Sequence, residues 1–224
     1  AKVSVKARSH GARNPDAQFQ KSVTVEEVLG SRPIADPLTL LQCCPTGDGA
    51  AAAIICASDV AGRFEAEPVK ILASELCSGK FTNGFRDMTS MEIAVRGAGI
   101  AYEQAGLGPD DIDVAEVHDA FSIAELLYYE AFGFCERGEA VQLLESGETT
   151  IGGQIVVNPS GGLLAKGHPI GGTGVAQVVE IARQLRGHCG DRQVEGAKVG
   201  LTHATGGGAM GMDSGACSIH IFAR

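Results

Sequence analysis

Between Asn158 and Gly174 the chain reads NPSGGLLAKGHPIGGTG, six glycines, two prolines and a single histidine in one short run. Glycine loses the most conformational freedom on ordering, and proline fixes φ and withholds a backbone donor. Neither a helix nor a strand interior carries such a density of both. The stretch is therefore a loop, yet a helical pattern follows at once. In GTGVAQVVEIARQLRG the residues Val175, Val178, Val179, Ala182 and Leu185 share one face, and Gly187 closes the run. The chain must fold so that this loop sits on a helix start and presents His168 between Gly167 and Pro169.

With 224 residues, 44% of them hydrophobic, the chain suffices for one or two packed domains. A net charge of -9 argues against nucleic acid as a partner. No apolar run reaches the length of a membrane span. The opening AKVSVKARSHGARNPDAQFQ lacks the apolar centre of a signal peptide. It does carry Lys2, Lys6, Arg8, His10 and Arg13 ahead of the first acid, Asp16. This basic patch reads either as a solvated arm or as a contact for an anionic ligand. The seven cysteines (43, 44, 56, 77, 135, 189 and 217) are odd in number and fit neither a zinc site nor a small disulfide scaffold. They point to reduced, mostly buried thiols, a cytoplasmic setting and no metal.

The first 48 residues show turn signals in RNPD, SRPIADP and CCPTGDG, and read as an extended loop region with one short helix near Val25 to Leu29. GAAAAIICAS fits a buried strand, and VKILASEL a second. A helix is predicted from about Ser90 to Ala105, opened by a capping box of Thr89 with Glu92 and ended by Gly106. DIDVAEVHD reads as a strand, and FSIAELLYYEAFGF as a helix with a capping box of Ser122 with Glu125. AKVGLTHAT and ACSIHIF are the last two strands, adjacent and antiparallel across a Gly-rich link. From Val69 the order is strand, helix, strand, helix, glycine loop, helix, strand, strand, which is an α/β layered domain with a mixed sheet.

Three histidines end strands or sit in glycine loops: His118, His168 and His203, the last ahead of Gly206, Gly207 and Gly208. Strand ends that meet helix starts are where α/β sheets bind ligands, and glycines there leave backbone N–H groups free for an oxyanion. His10, His188 and His220 lack such a setting. GGTGVAQ imitates a dinucleotide fingerprint, but it follows no strand directly and has no acid at the required distance.

HDAF, NPSGGLLAKGHPIGGTG and HATGGG together resemble the C-terminal motifs of thiolases, above all those of the sterol-carrier-protein-2 type and their bacterial thiolase-like relatives. NPDAQFQ and CCPTGDGAAAAI resemble segments from the middle of that family. The resemblance implies the thiolase-like layered fold. Residues 1–57 would be a loop region plus the last strand of an N-terminal domain, and residues 58–224 the C-terminal domain, a βαβαββ half with a mixed sheet. It implies thiolytic cleavage, or Claisen condensation, of a 3-ketoacyl-CoA through an acyl-cysteine and two oxyanion holes, with coenzyme A as substrate and no further cofactor. His168 would polarise the thioester carbonyl and help activate the nucleophile. With it, His118 would bind the enolate oxygen, and Gly206 would offer its N–H to the tetrahedral intermediate. Cys44 and Thr46 would meet substrate, with Arg8 and Arg13 toward the phosphates of CoA.

Two departures from the family pattern shape the expectation. The nucleophilic cysteine belongs to the N-terminal half, and none of the seven cysteines here matches its motif. The run Ala50 to Ala57 alone would be an orphan edge strand. The chain is thus expected to need an N-terminal thiolase half, on the same polypeptide or a separate chain, and to form a homo-oligomer; some relatives also work with a small zinc-ribbon/OB-fold protein. The acid/base cysteine is replaced by Ala120 in HDAF and Ala204 in the last motif, which leaves His203 as the nearest titratable group. The alternatives are a thiolase-like aldolase acting on a β-hydroxyacyl-CoA, whose relatives often carry Tyr at the His118 position, and a non-catalytic acyl-CoA-binding subunit.

Overall fold

The computed structural model describes residues 1–80, 87–207 and 215–224. Its centre is a five-stranded mixed sheet of β3 (Lys70–Ser78), β4 (Val114–Glu116), β5 (Val156–Val157), β6 (Val199–Gly206) and β7 (Ala216–Ala223), in the order β3-β7-β6-β4-β5. The two long strands β6 and β7 pair antiparallel from Val199 opposite Ala223 to Gly206 opposite Ala216, and β3 adds antiparallel to β7. On the other side β4 is parallel to both β6 and β5. The carboxyl ends of β4, β5 and β6 therefore point the same way.

Two helical layers cover the sheet. On one face α3 (Glu92–Ala105) and α4 (Ser122–Ala131) bury Ile93, Ala98, Tyr128 and Tyr129 against Ala73, Leu201, Ile219 and Ile221. On the other, α7 (Thr173–Leu185) sets Ile181 and Leu185 against Val114, Val156 and Phe222. Shorter helices α5 (Ala140–Ser146) and α6 (Gly162–Ala165) lie in the connections before and after β5. None of the described helices is long and apolar enough to cross a membrane.

Several expectations meet corrections. The first segment is no loop: α1 (Lys2–Gly11) precedes the expected α2 (Val25–Leu29), and α1 packs Val3 and Ala7 against Leu164 and Ala165 of α6. A small hairpin of β1 (Pro33–Ala35) and β2 (Leu38–Thr39) follows. Residues 51–57 form no strand, and Ile54 and Ile55 are exposed. A strand needs a ladder partner, and no described strand pairs with this run. Both expected capping boxes are absent. Met91, at φ 41°, opens α3 without a side-chain cap; Thr89 turns to Asp87, and Glu92 to Lys80 and Arg96. Phe121 opens α4, while Glu125 points inward to Lys6. Gly106 and Gly187 do take the left-handed conformation expected of helix ends. The buried face of α7 carries Thr173, Gln177, Glu180 and Gln184 beside Ile181 and Leu185, whereas Val175 is exposed. The cysteines are free: Cys77, Cys189 and Cys217 are buried, Cys43, Cys44 and Cys135 half-buried and Cys56 exposed.

Candidate active site

β4 leaves the sheet after Glu116, and two residues later His118 stands half-buried at its carboxyl end. The glycine loop returns to the same place from β5. It turns at Asn158 (φ 56°), forms α6, and delivers His168 ten residues on. The two imidazoles meet edge to face, with ring centroids 5.0 Å apart and planes at 88°. Thus the histidines of two motifs fifty residues apart in sequence line one spot at the strand ends, where α/β sheets bind ligands.

Each ring is fixed by its surroundings. His168 Nδ1 lies 2.8 Å from Thr173 Oγ1, and that hydroxyl donates to Pro169 O at 2.9 Å. A hydroxyl has one hydrogen to give and a carbonyl can only accept, so Nδ1–H of His168 donates to Thr173 and Nε2 keeps its lone pair. Burial, and the Lys166 ammonium after it, lower the His168 pKa. Burial, then His168 and Lys166, bring His118 down to about 4. Both rings are therefore neutral at physiological pH, suited to accept a proton and to donate a hydrogen bond.

The glycines of the loop have definite work. Gly162 sits at φ 59°, and a Cβ there would fall 2.3 Å from Asp119 Oδ2. Its absence lets the backbone of α6 close on Asp119, whose Oδ1 accepts from Leu163 N at 2.6 Å. Asp119, wholly buried beside Glu125 and Glu116, has its pKa raised well above the ordinary carboxylate range, chiefly by burial.

The first 46 residues brace this loop along its length. Asn14 Nδ2 donates to Ser160 O at 2.8 Å; Gln18 N and Phe19 N donate to Lys166 O and Ala165 O, each at 3.1 Å. Cys44 N donates to Ala120 O at 2.8 Å, Cys43 bridges to Phe121, and Thr46 bridges to His168. Cys44 and Thr46 therefore lie where both histidine loops meet, a placement that motif spacing alone does not give.

The remaining expected residues differ in exposure. Arg8 is buried with its guanidinium carbon 3.8 Å from the centre of the Phe19 ring, so it is not free to meet a phosphate; α1 turns its basic side inward, along with Lys6 and His10. Arg13 is exposed. Gly206 ends β6 opposite Ala216, and Gly207 follows at φ 70°. Gly208 lies outside the described residues. His203 is fully buried, 4.3 Å from the Tyr128 ring and 5.1 Å from the Phe132 ring, and burial depresses its pKa to about 3. Its Nδ1 receives the backbone N–H of His118 at 3.4 Å. Sequence reasoning missed Asn158, Glu125 and Lys6, which are drawn together behind the histidines from three distant segments. The α1 segment mixes Val3, Val5 and Ala7 with four basic residues, and that composition gave no sign that Lys6, Arg8 and His10 were buried.

The family "Thiolase C-terminal domain-like" matches residues 75–217. An acetyl-CoA acetyltransferase of Methanothermobacter thermautotrophicus is 48% identical across 100% of this chain and 57% of its own length. The benzoylsuccinyl-CoA thiolase subunit BbsB of Thauera aromatica is 44% identical over 93% of this chain and 54% of its own. Sterol carrier protein 2 of Oryctolagus cuniculus is 48% identical over 93% of this chain and 40% of its own. The chain thus spans about half the length of the curated relatives it matches. Among solved structures, an Ltp2-ChsH2(DUF35) aldolase superposes with a TM-score of 0.85 at 28% identity, over 99% of this chain and 57% of that one. A monomeric SCP2-thiolase-like protein of Mycobacterium smegmatis shares the fold with a TM-score of 0.70 at 16% identity, over 99% of this chain and 45% of that one. On the family match across most of the sheet domain, this chain belongs to the thiolase C-terminal domain-like family.

Proposed function

We propose that the chain is the histidine-bearing half of a thiolase-type acyltransferase acting on a 3-ketoacyl-CoA, completed by an N-terminal half that carries the nucleophilic cysteine. The observation behind this reading is the pairing of His118 and His168, 5.0 Å apart at the carboxyl ends of parallel strands. In the cleavage direction the cysteine thiol gives its proton to Nε2 of His168, and the thiolate attacks the 3-keto carbon. The bond between C2 and C3 then breaks, leaving the shortened acyl group on the cysteine and the enolate of the acyl-CoA fragment that keeps C1 and C2. The electron pair of the broken bond rests on the enolate oxygen, where His118 and the now protonated His168 donate hydrogen bonds, until C2 takes up a proton. The thiol of free CoA then releases the acyl group. Gly206 N–H serves the tetrahedral intermediates. His203 is assigned to holding His118 through its backbone, because an enclosed ring with a pKa of about 3 is a poor proton carrier.

The half-buried Cys44 and the exposed Thr46 border the same spot, and Arg13 is the basic residue left for the CoA phosphates. A homo-oligomer, and a small zinc-ribbon/OB-fold companion, belong to the same reading; the aldolase neighbour is named as Ltp2 joined with ChsH2(DUF35). That neighbour also favours a second reading, cleavage of a β-hydroxyacyl-CoA without an acyl-cysteine.

The test uses the complete protein and separates two steps: thioester exchange for acylation, and ketoacyl-CoA cleavage for the whole reaction. His168→Ala is expected to slow both, and His118→Ala to spare exchange but lower cleavage by roughly two to three orders of magnitude. Near wild-type cleavage in both variants overturns the reading. Cleavage of a β-hydroxyacyl-CoA with no thioester exchange moves the chain to the aldolase.

A further inference from the structure

The parallel ladder of β4 ends at Ala115 opposite Val157 on one side and at Glu116 opposite Thr202 on the other. His118 lies beyond both ends, where a free chain end would wander. Two side chains continue the ladder instead. Val117 N donates to Asn158 Oδ1 at 2.8 Å from the β5 side, and His118 N to His203 Nδ1 at 3.4 Å from the β6 side.

Asn158 is the stronger of these holds, and every polar group it owns is engaged. Its N–H donates to Ala115 O at 2.7 Å, and its carbonyl accepts from Gly161 N and His10 Nδ1, each at 2.9 Å. Its amide NH2 donates to Glu125 Oε2 at 2.8 Å, and its side chain is fully buried. The direction of the amide follows from chemistry: a carboxylate only accepts and a backbone N–H only donates, so Oδ1 must face Val117. Glu125 is itself pinned by Lys6 Nζ at 2.8 Å and by the Tyr129 hydroxyl at 2.5 Å. A buried chain thus runs from α1 through α4 to the residue before His118. Asn158 also opens the loop that ends at His168, so one residue registers both histidines.

We infer that Asn158, oriented by the Lys6–Glu125 ion pair, is a positioning residue that sets the His118 backbone for the carbon–carbon step. The inference rests on the thiolase reading above. A misplacement on the order of 1 Å can cost about a hundredfold in rate, so a hold of this kind affects turnover before it affects binding.

The experiment uses the complete protein. Asn158→Gly keeps the left-handed backbone and removes only the side chain. It is expected to lower kcat for ketoacyl-CoA cleavage roughly 10- to 100-fold, with KM and thioester exchange little changed. In a His118→Ala background the same change is expected to slow cleavage no further, because it acts through the ring already removed. Asn158→Asp alone sets two carboxylates against each other; Asn158→Asp with Glu125→Gln exchanges donor and acceptor at constant charge and is expected to restore cleavage. Near wild-type cleavage by Asn158→Gly, or an undiminished further loss in the His118→Ala background, overturns the inference. Should Asn158→Gly not fold, a folded exchange variant decides: restored cleavage upholds the inference and lost cleavage overturns it. Were His118→Ala itself fully active, the thiolase reading would fail instead.

Discussion

Gly162 shows how a single missing atom shapes the site. Its φ of 59° and the 2.3 Å approach to Asp119 Oδ2 forbid a Cβ twice over, by backbone and by neighbour. Gly162→Ala is expected to lose at least about 2 kcal/mol from the left-handed conformation and the clash together. Urea unfolding of the complete protein measures this, and a loss within about 0.5 kcal/mol, the range of an ordinary surface change, would count against it. Lys166 acts at the same scale. Its ammonium depresses both histidines and sits in the chain directly before the Gly167–His168 turn. It helps keep both rings uncharged.

At the scale of elements, α1 is held by chemistry more than by apolar packing. Lys6 Nζ reaches Glu125, the Tyr129 hydroxyl at 3.0 Å and Val157 O at 2.9 Å, all buried. Removing one partner of a buried pair leaves a charge without compensation, so Lys6→Met is expected to cost about 3–5 kcal/mol. Adding Glu125→Gln should recover part of that loss, and denaturant unfolding of both variants checks it. The same element shows where reading the chain fell short. KVSVKARSHG offers only the short apolar pair Val3 and Ala7, too little to announce a buried helix, and the partners of Lys6 lie more than 110 residues away. The helix after the glycine loop was legible in extent but not in facing. Its valines suggested one side, while Glu180 turns inward to Arg192 and Gln184 to Arg192 O and Val194 N. Likewise Thr89–Glu92 and Ser122–Glu125 had capping-box spacing, but distant partners claimed the acids. The long strands and the histidine motifs were legible, because β-branched runs and Gly–Pro punctuation act locally. That His118 and His168 touch was implied only by resemblance, since their contact depends on the parallel order of β4 and β5.

Across the whole molecule, buried titrating groups oppose one another. His10 and His203 have pKa values lowered to about 3, and His118 to about 4, each chiefly by burial. As pH falls through 6.5 the unfolded chain takes up these protons first, so each histidine withdraws stability on acidification. Glu116, facing Glu180 and Lys166 and bonded to Ser160, is raised to about 7, again chiefly by burial, and Asp119 is raised as well. For these the folded chain takes up the proton first, and stability is gained as pH falls below about 7. Near pH 5 three histidines outweigh two carboxyls, so unfolding free energy is expected to be lower at pH 5 than at pH 7. Glu116→Gln removes one opposing group and should steepen the fall by up to about 1.4 kcal/mol per pH unit. Unfolding of both proteins at the two pH values tests the sign; an unchanged slope in the variant would contradict it.

The run from residue 51 to 57, exposed from Ala52 onward, lies between the segment that laces the two histidine loops together and the first strand of the sheet. The flanking parts meet through Lys6, His10, Asn14, Gln18, Cys44 and Thr46 without its help. Within this chain the run is a seam. The hydrogen bonds and bridges ahead of it hold the histidine loops in register without crossing it.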